Sequence, residues 1–418
     1  MLRGRTFASL RKHRNYRLYF AGQVVSLSGT WMQDTALPWL VLQRTHSSVQ
    51  VGLLLFCRYL PFTVFGLLAG VVADRADNRL LLMVTQAASM AVAAALAAVA
   101  LSHAPLALVF VLAACGGTAV VFDSPTRQAL TFRLVGRREL PNAVALNSSL
   151  FNAGRVVGPA AGGVVIAAVG VGWCFALNAA SFLAVLAALA LMRTSELYPL
   201  DRGATRARGA RAVREGLAFV RRQPQLRLIV GSTAVVALVG FNVRVLIPVL
   251  TSKTLHAGPR VLGLLFACFG LGALAGALVA AGAERPRWRT QLGGLAGLGA
   301  AMVALGLLAS TWADAALLAL TGLCFTLWST TSQSMLQLIA PDRFRGRVIS
   351  LYLIAFAGLS PAGSLLSGWL ADLGGTGLAF LVAGASGLAA AVYLQWRVRA
   401  LRAAEPRGRP SRLVEADV

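Results

Sequence analysis

The sequence predicts an all-α polytopic membrane protein with twelve transmembrane helices in two parallel six-helix halves. Three observations lead to this fold class. Of the residues, 57% are hydrophobic and only 13% are charged, apolar windows of about 20 residues recur along the chain, and the basic residues alternate between two sides of the predicted spans. A soluble domain of this length could not bury so much apolar surface.

The predicted spans are joined by mostly short connections. They lie near residues 16–42, 50–73, 80–101, 106–125, 143–169, 172–192, 228–250, 260–282, 291–310, 315–338, 348–371 and 376–396. The longest connection is rich in Arg and Gly and separates six spans from the next six. We therefore expect an N-terminal half at 1–193, a cytoplasmic linker at 194–227, a C-terminal half at 228–397 and a cytoplasmic tail at 398–418.

The net charge of +24 is explained by where the basic residues lie. In a soluble protein this charge would suggest nucleic-acid binding. Here the predicted outer loops hold only Arg44, Lys253 and Arg260 of the 39 lysines and arginines. The asymmetry follows the positive-inside rule and predicts a multi-pass protein of the cell membrane with both termini in the cytoplasm. Its surroundings are the lipid bilayer, and we expect no nucleic-acid partner.

The residues that usually carry catalysis form no recognisable pattern. The five cysteines fall within predicted spans without a close pair, and the four histidines are scattered over loops. Neither lysine follows a glycine, so the sequence has no phosphate-binding Gly-Lys-Ser/Thr loop. Without a nucleophile and base or a ligand cluster, we expect no enzyme activity, no cofactor and no metal.

An internal repeat supports two related halves. The segment LVGRRELPNAV at 134–144 resembles IAPDRFRGRVI at 339–349, and each leads into a span that contains a proline, Pro159 or Pro361. Parallel repeats of this kind place a substrate pathway between the halves near the middle of the bilayer.

The fifth predicted span contains an array of small residues, GRVVGPAAGG at 154–163. Glycine allows close approach of neighbouring backbones and proline removes an amide donor, so a helix with this array packs tightly and bends. These properties suit a moving transporter helix. The array consists of Gly154, Gly158, Pro159, Gly162 and Gly163.

The segment GVVADRADNR at 70–79, between two spans, resembles the loop signature of the major facilitator superfamily. That signature reads Gly-x-x-x-Asp-Arg-x-x-x-Arg, and here it gives Gly70, Asp74, Arg75 and Arg79. The array at 154–163 resembles the antiporter motif of the same superfamily.

Further segments are similar to the enterobactin-exporter-like branch of this superfamily. They are SGTWMQDTALPWLVL at 28–42, DSPTRQAL at 123–130 and ALNSSLFNAGRVVGP at 145–159. The resemblance covers nearly the entire chain and implies a drug-antiporter or exporter type of protein.

The resemblance also implies a cytoplasmic gate built from Gly70, Asp74, Arg75 and Arg79. An acid and two arginines at helix ends can pair with neighbouring helices in one conformation and release them in another. Asp123, at the end of the fourth span, is a partner for Arg79 or Arg127. The alternative is that these charges only fix topology and loop shape.

Asp34 is the only acid that the sequence places well inside the membrane. A charged Asp at the centre of a span costs about 2.5 to 3.5 kcal/mol, and the usual responses are pairing or protonation. Asp34 is therefore our proton-coupling candidate. The alternatives are a structural ion pair with an arginine inside the membrane, or a position at the outer interface. Arg58 is a charge in the second span with no partner evident from the sequence.

Several polar residues within the spans are candidates for the substrate cavity. Arg155 follows a glycine that leaves room for its guanidinium, and it could bind an anionic substrate group or lock Asp34. Structural pairing between helices is the alternative for these residues. The candidates are Gln33, Asn152, Arg155, Asn242, Arg244 and Gln333.

Together these observations favour a secondary transporter that exports a small lipophilic or amphipathic molecule, such as a drug, siderophore or secondary metabolite, by proton-coupled alternating access. One alternative is a facilitator or importer of a metabolite or lipid-like molecule. An alternative of another class is a non-transporting membrane receptor or scaffold. We expect the protein to work as a monomer.

Overall fold

Helices follow one another through residues 6–102, 104–199 and 210–403, which are the residues that the computed structural model describes. No β-strand occurs within these ranges. Part of the predicted linker, 200–209, and most of the predicted tail, 404–418, lie outside the described residues.

The first six helices contain the predicted spans 1 to 6. Their bounds are α1 Ala8–Lys12, α2 Arg14–Thr45, α3 Ser48–Arg75, α4 Asn78–Leu101, α5 Leu106–Val169 and α6 Val171–Ala190. The sequence predicts separate spans 4 and 5, but the structure extends both helices through the predicted connection until they meet at one break within α5. That break is Gly136, with φ 68° and ψ 178°. Glycine fits here because side chains disfavour this left-handed backbone region.

The remaining helices contain the predicted spans 7 to 12. Their bounds are α7 Ala210–Arg222, α8 Pro224–Val235, α9 Val243–Val249, α10 Pro259–Gly282, α11 Trp288–Leu307, α12 Thr311–Ile339 and α13 Asp342–Ala403. Spans 11 and 12 both lie in α13, which is broken at Gly374 and Gly375. Glycine again meets a steric requirement, because Gly375 has φ 76°.

Span 7 differs from the continuous helix that the sequence predicts at 228–250. After α8 the chain forms a π-helix at Val236–Gly240, leaves helical geometry at Phe241 and Asn242, and continues as α9. A second π-helical segment, Leu250–Thr254, follows. Segments of π-helix within α-helices are uncommon and often lie at functional sites.

The predicted all-α polytopic fold is confirmed. Nine helical segments in the described ranges are long and apolar enough to cross a membrane, and one of them is the interrupted segment Pro224–Thr254. Two of these, α5 and α13, have 64 and 62 residues, and about 20 residues are enough for one crossing. The two long helices therefore supply four of the twelve predicted spans, and the structure is consistent with that number.

The chain folds into two compact units. Unit 1 comprises Met1–Thr45 and Cys57–Arg208, and unit 2 comprises His46–Phe56 and Gly209–Val418. Each unit has its own apolar core of large side chains. In unit 1 this core includes Tyr16, Tyr19, Leu82, Leu130 and Leu134, and in unit 2 it includes Leu226, Ile229, Trp288, Met335 and Leu336.

Candidate functional site

A buried ion pair joins α2 and α3 inside unit 1. The Arg58 guanidinium donates to the Asp34 carboxylate, and the two side chains are only 9% and 15% exposed. The structure thus supplies the partner for Arg58 that the sequence alone did not reveal. Gly117 of α5 allows close approach of the α3 backbone at this residue, because a Cβ there would collide with the Arg58 carbonyl.

The small-residue array of α5 packs directly on α2. A Cβ at Gly154 would lie 3.0 Å from Cδ1 of Trp31, one at Gly158 would collide with the Trp31 Cβ, and one at Gly162 would lie 3.2 Å from Cγ of Met32. Pro159 and Gly163 are buried in the same helix. The array therefore allows the Trp31 indole to pack against the α5 backbone.

Trp31 also contacts Arg155, one of the charged candidates for the substrate cavity. The Arg155 guanidinium lies 5.9 Å from the centre of the Trp31 ring, within the range of a cation–π contact. Phe151 meets the same indole edge to face, with ring centres 5.2 Å apart. Arg155 was recognisable as a candidate from the sequence but Trp31 was not, because only the fold shows that the indole lies beside Arg155.

Two of the amide candidates in unit 1 have helix partners. Asn178 of α6 donates its Nδ2 to Oε1 of Gln33 on α2 at 2.8 Å, and both residues are buried. Asn152 donates to the carbonyl of Ser148 on its own helix at 2.9 Å. Gln33 therefore ties α2 to α6, while Asn152 is partly exposed on α5.

A second polar network surrounds the buried Asp123 of α5. The Arg127 guanidinium donates to Asp123 Oδ2 through Nε at 3.0 Å and Nη2 at 2.6 Å, and through Nη1 to Gln23 Oε1 of α2. From α4, Thr85 Oγ1 and Gln86 Nε2 donate to Asp123 Oδ1 at 3.2 and 2.5 Å. Of the two partners that the sequence offered for Asp123, the structure brings Arg127 to it and directs Arg79 elsewhere.

Arg79 interacts with the end of α6. Its Nε donates to the Leu189 carbonyl at 2.7 Å and its Nη2 to the Ala190 carbonyl at 3.2 Å. A cation favours the C-terminal end of a helix, where carbonyls lack partners. Of the remaining signature residues, Gly70 and Asp74 are partly buried and Arg75 is exposed.

Asp77 caps α4, a role that was not among those predicted from the sequence. Its Oδ1 accepts hydrogen bonds from the backbone N–H groups of Arg79 at 2.8 Å and Leu80 at 3.0 Å, while Arg133 lies 3.6 Å from Oδ2. Partial burial acts to raise the pKa of Asp77, but the Leu80 N–H, the Arg133 charge and the Arg79 N–H outweigh it, so this pKa lies below its ordinary value. An Asp directly before a helical apolar run is a capping signal that the sequence offered.

In unit 2 the candidate Asn242 lies at the break of span 7. It is 5% exposed, and its Oδ1 accepts a hydrogen bond from Ser364 Oγ of α13 at 3.3 Å. Arg244 follows in α9 and is partly buried. Gln333 is exposed on α12. The structure therefore places Asn242, but not Gln333, in a buried polar position.

Aromatic side chains surround the same break. The Phe241 ring stacks on Phe325 of α12, with ring centres 3.6 Å apart and planes 2° apart. Phe269 of α10 lies 5.8 Å from Phe241, and Trp328 and Phe356 each lie 6.0 Å from Phe325. Because these residues come from four separate segments, their sequence spacing gave no sign of the cluster.

Asp372, near the end of the predicted span 11, holds the first turn of α3 within unit 2. Its carboxylate accepts from Ser47 Oγ at 2.8 Å and from the N–H groups of Ser48 and Val49 at 2.8 and 3.0 Å, and Lys253 Nζ lies 2.7 Å from Oδ1. Partial burial acts to raise the pKa of Asp372. Lys253 and the three hydrogen bonds outweigh burial and hold that pKa well below its usual range.

The model of the transmembrane secretion effector family matches residues 4–417. The chain belongs to this family of the major facilitator superfamily. It is a multi-pass membrane transporter for small molecules and not an enzyme, and the predicted family is confirmed. No group of three or more metal-ligating side chains occurs in the part of the chain that the structure describes.

Curated relatives align over most of their length. The staphyloferrin A transporter of Staphylococcus aureus is 27% identical over 88% of this chain and 93% of its own. The multidrug efflux pump Tap of Mycolicibacterium fortuitum is 29% identical over 85% and 88%, and the enterobactin exporter EntS of Escherichia coli O1:K1 is 27% identical over 82% of each chain.

A solved transporter structure has the same fold. A mutant of the nucleoside transporter NupG superposes with a TM-score of 0.73 over 91% of this chain and 99% of its own, at 10% identity. At this identity the likeness concerns the fold alone.

Proposed function

We propose that this transporter exports a small lipophilic or amphipathic molecule by alternating access, and that proton entry through the Asp34–Arg58 pair drives export. The direction of transport is supported by relatives that are named as a multidrug efflux pump and an enterobactin exporter. The single observation that carries the coupling mechanism is the buried ion pair between α2 and α3.

The pair can respond to a proton because its two members are not equivalent. Arginine stays charged in proteins, whereas a carboxylate can accept a proton. Protonation of Asp34 would leave the Arg58 charge uncompensated at 9% exposure, and an uncompensated buried charge is costly. The protonated state would therefore favour another arrangement of α2 and α3, and loss of the proton would restore the first.

The driving force is sufficient for useful export. One proton that crosses the membrane with a potential of 100 mV supplies about 2.3 kcal/mol. At about 1.4 kcal/mol per tenfold concentration ratio, this sustains roughly a forty-fold gradient of a neutral substrate. Exchange of one proton for a monovalent cation moves no net charge, so export of a cationic dye depends on the pH gradient or on a second proton.

Proton-coupled export can be tested with dye accumulation in intact cells. Cells expressing the wild type, Asp34→Asn or Glu284→Gln are loaded with a panel of lipophilic cationic dyes, with and without a protonophore. Glu284 is an exposed acid between α10 and α11, so its conversion to an amide controls for the loss of a carboxylate. We expect low accumulation for the wild type and for Glu284→Gln, and high accumulation for Asp34→Asn and for all protonophore-treated cells.

Two outcomes would contradict the proposal. Protonophore-sensitive export that persists in Asp34→Asn would place the coupling site elsewhere. Dye accumulation that the wild-type protein does not change, at normal membrane levels of protein, would reject broad dye export and favour a narrow metabolite or an importer. A separate measurement identifies the coupling ion. If protons are exchanged for substrate, addition of a transported dye to proteoliposomes should release protons.

Orientation and assembly belong to the same proposal. The distribution of basic residues supports a plasma-membrane protein with both termini in the cytoplasm. We further propose that a single chain is the working unit and that nucleic acid is not a partner. Labelling of a cysteine introduced beside Lys253 with a membrane-impermeant maleimide in intact cells tests the orientation. We expect the cysteine beside Lys253 to be labelled and a cysteine placed beside the exposed Arg75 to remain unlabelled.

A further inference from the structure

The break of span 7 leaves irregular backbone inside a membrane helix. Phe241 has φ −149° and ψ 83°, and Asn242 has φ −127° and ψ 46°, between the π-helix at Val236–Gly240 and α9. In a membrane, non-helical backbone is tolerated where protein covers it or where it lines a cavity. Interrupted helices of transporters frequently contribute ligand groups for this reason.

The side chain of Asn242 has an unused donor at this break. Its Oδ1 accepts from Ser364, but the buried Nδ2 atom has no hydrogen-bond partner among the described residues. Buried amide donors are nearly always paired, so an unpaired donor calls for an explanation. Gly363 of α13 packs closely against the break, because a Cβ there would collide with the Ala237 carbonyl and lie 2.9 Å from Asn242 Nδ2.

An aromatic surface lies beside that donor. Phe241 is the adjacent residue, and its ring stacks on Phe325, with Phe356 further along. These three rings are partly exposed, in contrast to the buried Trp328 behind them. Two rings stacked face to face over their full area interact less favourably than offset or edge-to-face pairs. A ligand ring that displaces one of them therefore replaces a weak contact.

We propose that the span-7 break is a binding subsite for a planar aromatic group that carries an acceptor oxygen, of the aryl carboxylate or phenol type. The ligand ring displaces the Phe241 ring and stacks on Phe325, and the oxygen accepts a hydrogen bond from Asn242 Nδ2. This inference rests on the proposed export of small amphipathic molecules and adds the chemical group that unit 2 recognises. The subsite belongs wholly to unit 2.

Binding to the purified full-length protein in detergent tests the subsite without transport. The probes are 2-naphthoate, which has both the ring and the oxygen, 2-methylnaphthalene, which lacks the oxygen, and decahydronaphthalene-2-carboxylate, which lacks the aromatic ring. We expect Asn242→Ala to weaken 2-naphthoate binding about tenfold, as for loss of a hydrogen bond to a charged group, and to leave 2-methylnaphthalene unchanged. Phe325→Leu should weaken both aromatic probes about five-fold.

Controls keep this test decisive. Gln337→Ala removes an exposed amide from α12 and should leave all affinities unchanged. If Asn242→Ala does not yield folded protein, Asn242→Leu keeps the side-chain volume and removes the same donor. The saturated acid should bind the wild type at least tenfold more weakly than 2-naphthoate.

The results separate this subsite from the wider function. Equal losses for 2-naphthoate and 2-methylnaphthalene in the Asn242 variants would overturn the hydrogen-bond assignment. Absence of 2-naphthoate binding to the wild type would overturn the subsite, even if cells export cationic dyes in a proton-dependent way. Conversely, a failed dye-export assay together with the expected binding pattern would contradict the proposed broad dye export and leave the subsite intact.

Discussion

Gly158 of α5 lies directly against the side chain of Trp31 on α2, with no space for even one additional methyl group. A Cβ at this glycine would collide with the Trp31 Cβ and lie 2.9 Å from the Ser28 carbonyl. The close contact of these two helices in unit 1 therefore depends on the absence of a side chain at one position. It also fixes the indole that lies beside Arg155.

Gly158→Ala should lower the stability of the protein by about 1 to 3 kcal/mol, because an added methyl in a close-packed contact forces side chains and backbone to shift. Thermal unfolding in detergent measures this loss. Gly231→Ala is the matched control, since a Cβ at Gly231 meets nothing within 4 Å. Equal melting temperatures for the two variants would show that the Trp31 contact adapts without cost.

Asp123→Asn should destabilise unit 1 by about 1 to 3 kcal/mol, because it leaves the partly buried Arg127 guanidinium without its carboxylate. Gln23, Thr85 and Gln86 belong to the same network and would lose the charge that organises it. The measurement is the unfolding midpoint in detergent, with Arg75→Gln as the control at an exposed arginine of the loop signature. If the Asp123→Asn variant is as stable as the wild type and exports normally, the charge of Asp123 is not needed and neutral hydrogen bonds can replace it.

Asp34 and Arg58 should behave as a coupled pair in a double-mutant cycle. Either Asp34→Asn or Arg58→Gln alone breaks the buried ion pair and should cost about 3 to 5 kcal/mol, whereas the double variant should cost less than the two single losses added together. Unfolding midpoints of the four proteins provide the coupling energy. Strict additivity would mean that the pair contributes no mutual stabilisation.

Asp372→Asn should lower the stability of unit 2 by about 1 kcal/mol, as for the loss of a helix cap. Because the pKa of Asp372 lies below its ordinary value in the folded protein, its contribution is present above the unfolded pKa of about 3.9 and disappears only as the pH falls towards the lower folded value.

The difference in stability between the wild type and Asp372→Asn should therefore be constant from about pH 8 to about pH 5, because this range lies above the unfolded pKa. It should shrink only in stronger acid. Melting curves of the wild type and Asp372→Asn over this pH range test the sign of the pKa shift. If the stability difference already narrows before the pH reaches about 5, the pKa of Asp372 lies at or above its ordinary value.

The fold class was predictable because membrane helices are marked by composition. Length, apolarity and the positions of basic residues are properties of each segment alone, and the family signature at 70–79 lies in one continuous stretch. The Asp77 cap was equally local and was available to a reading of helix starts. The predicted roles of the candidate residues stay predictions, since roles require more than position.

Partners were predictable only where helix geometry brings them together. Arg127 and Asp123 are four residues apart and meet on one face of α5, so the sequence offered that pair. Arg58 and Asp34 lie on different helices, and their meeting depends on helix rotation, which sequences rich in Ala, Leu and Gly define poorly. The Phe241–Phe325 stack depends in addition on a helix break that hydropathy does not register.

The division of α3 between the two units has a consequence for any attempt to separate the halves. Residues 46–56 are encoded in the first half of the chain but fold with unit 2. A fragment that ends between 199 and 210 and is expressed without its complement would therefore carry a stretch whose native neighbours are missing, and the complementary fragment would lack a piece of its own core. Co-expression of the two fragments, rather than either one alone, is the experiment in which reassembly can be expected.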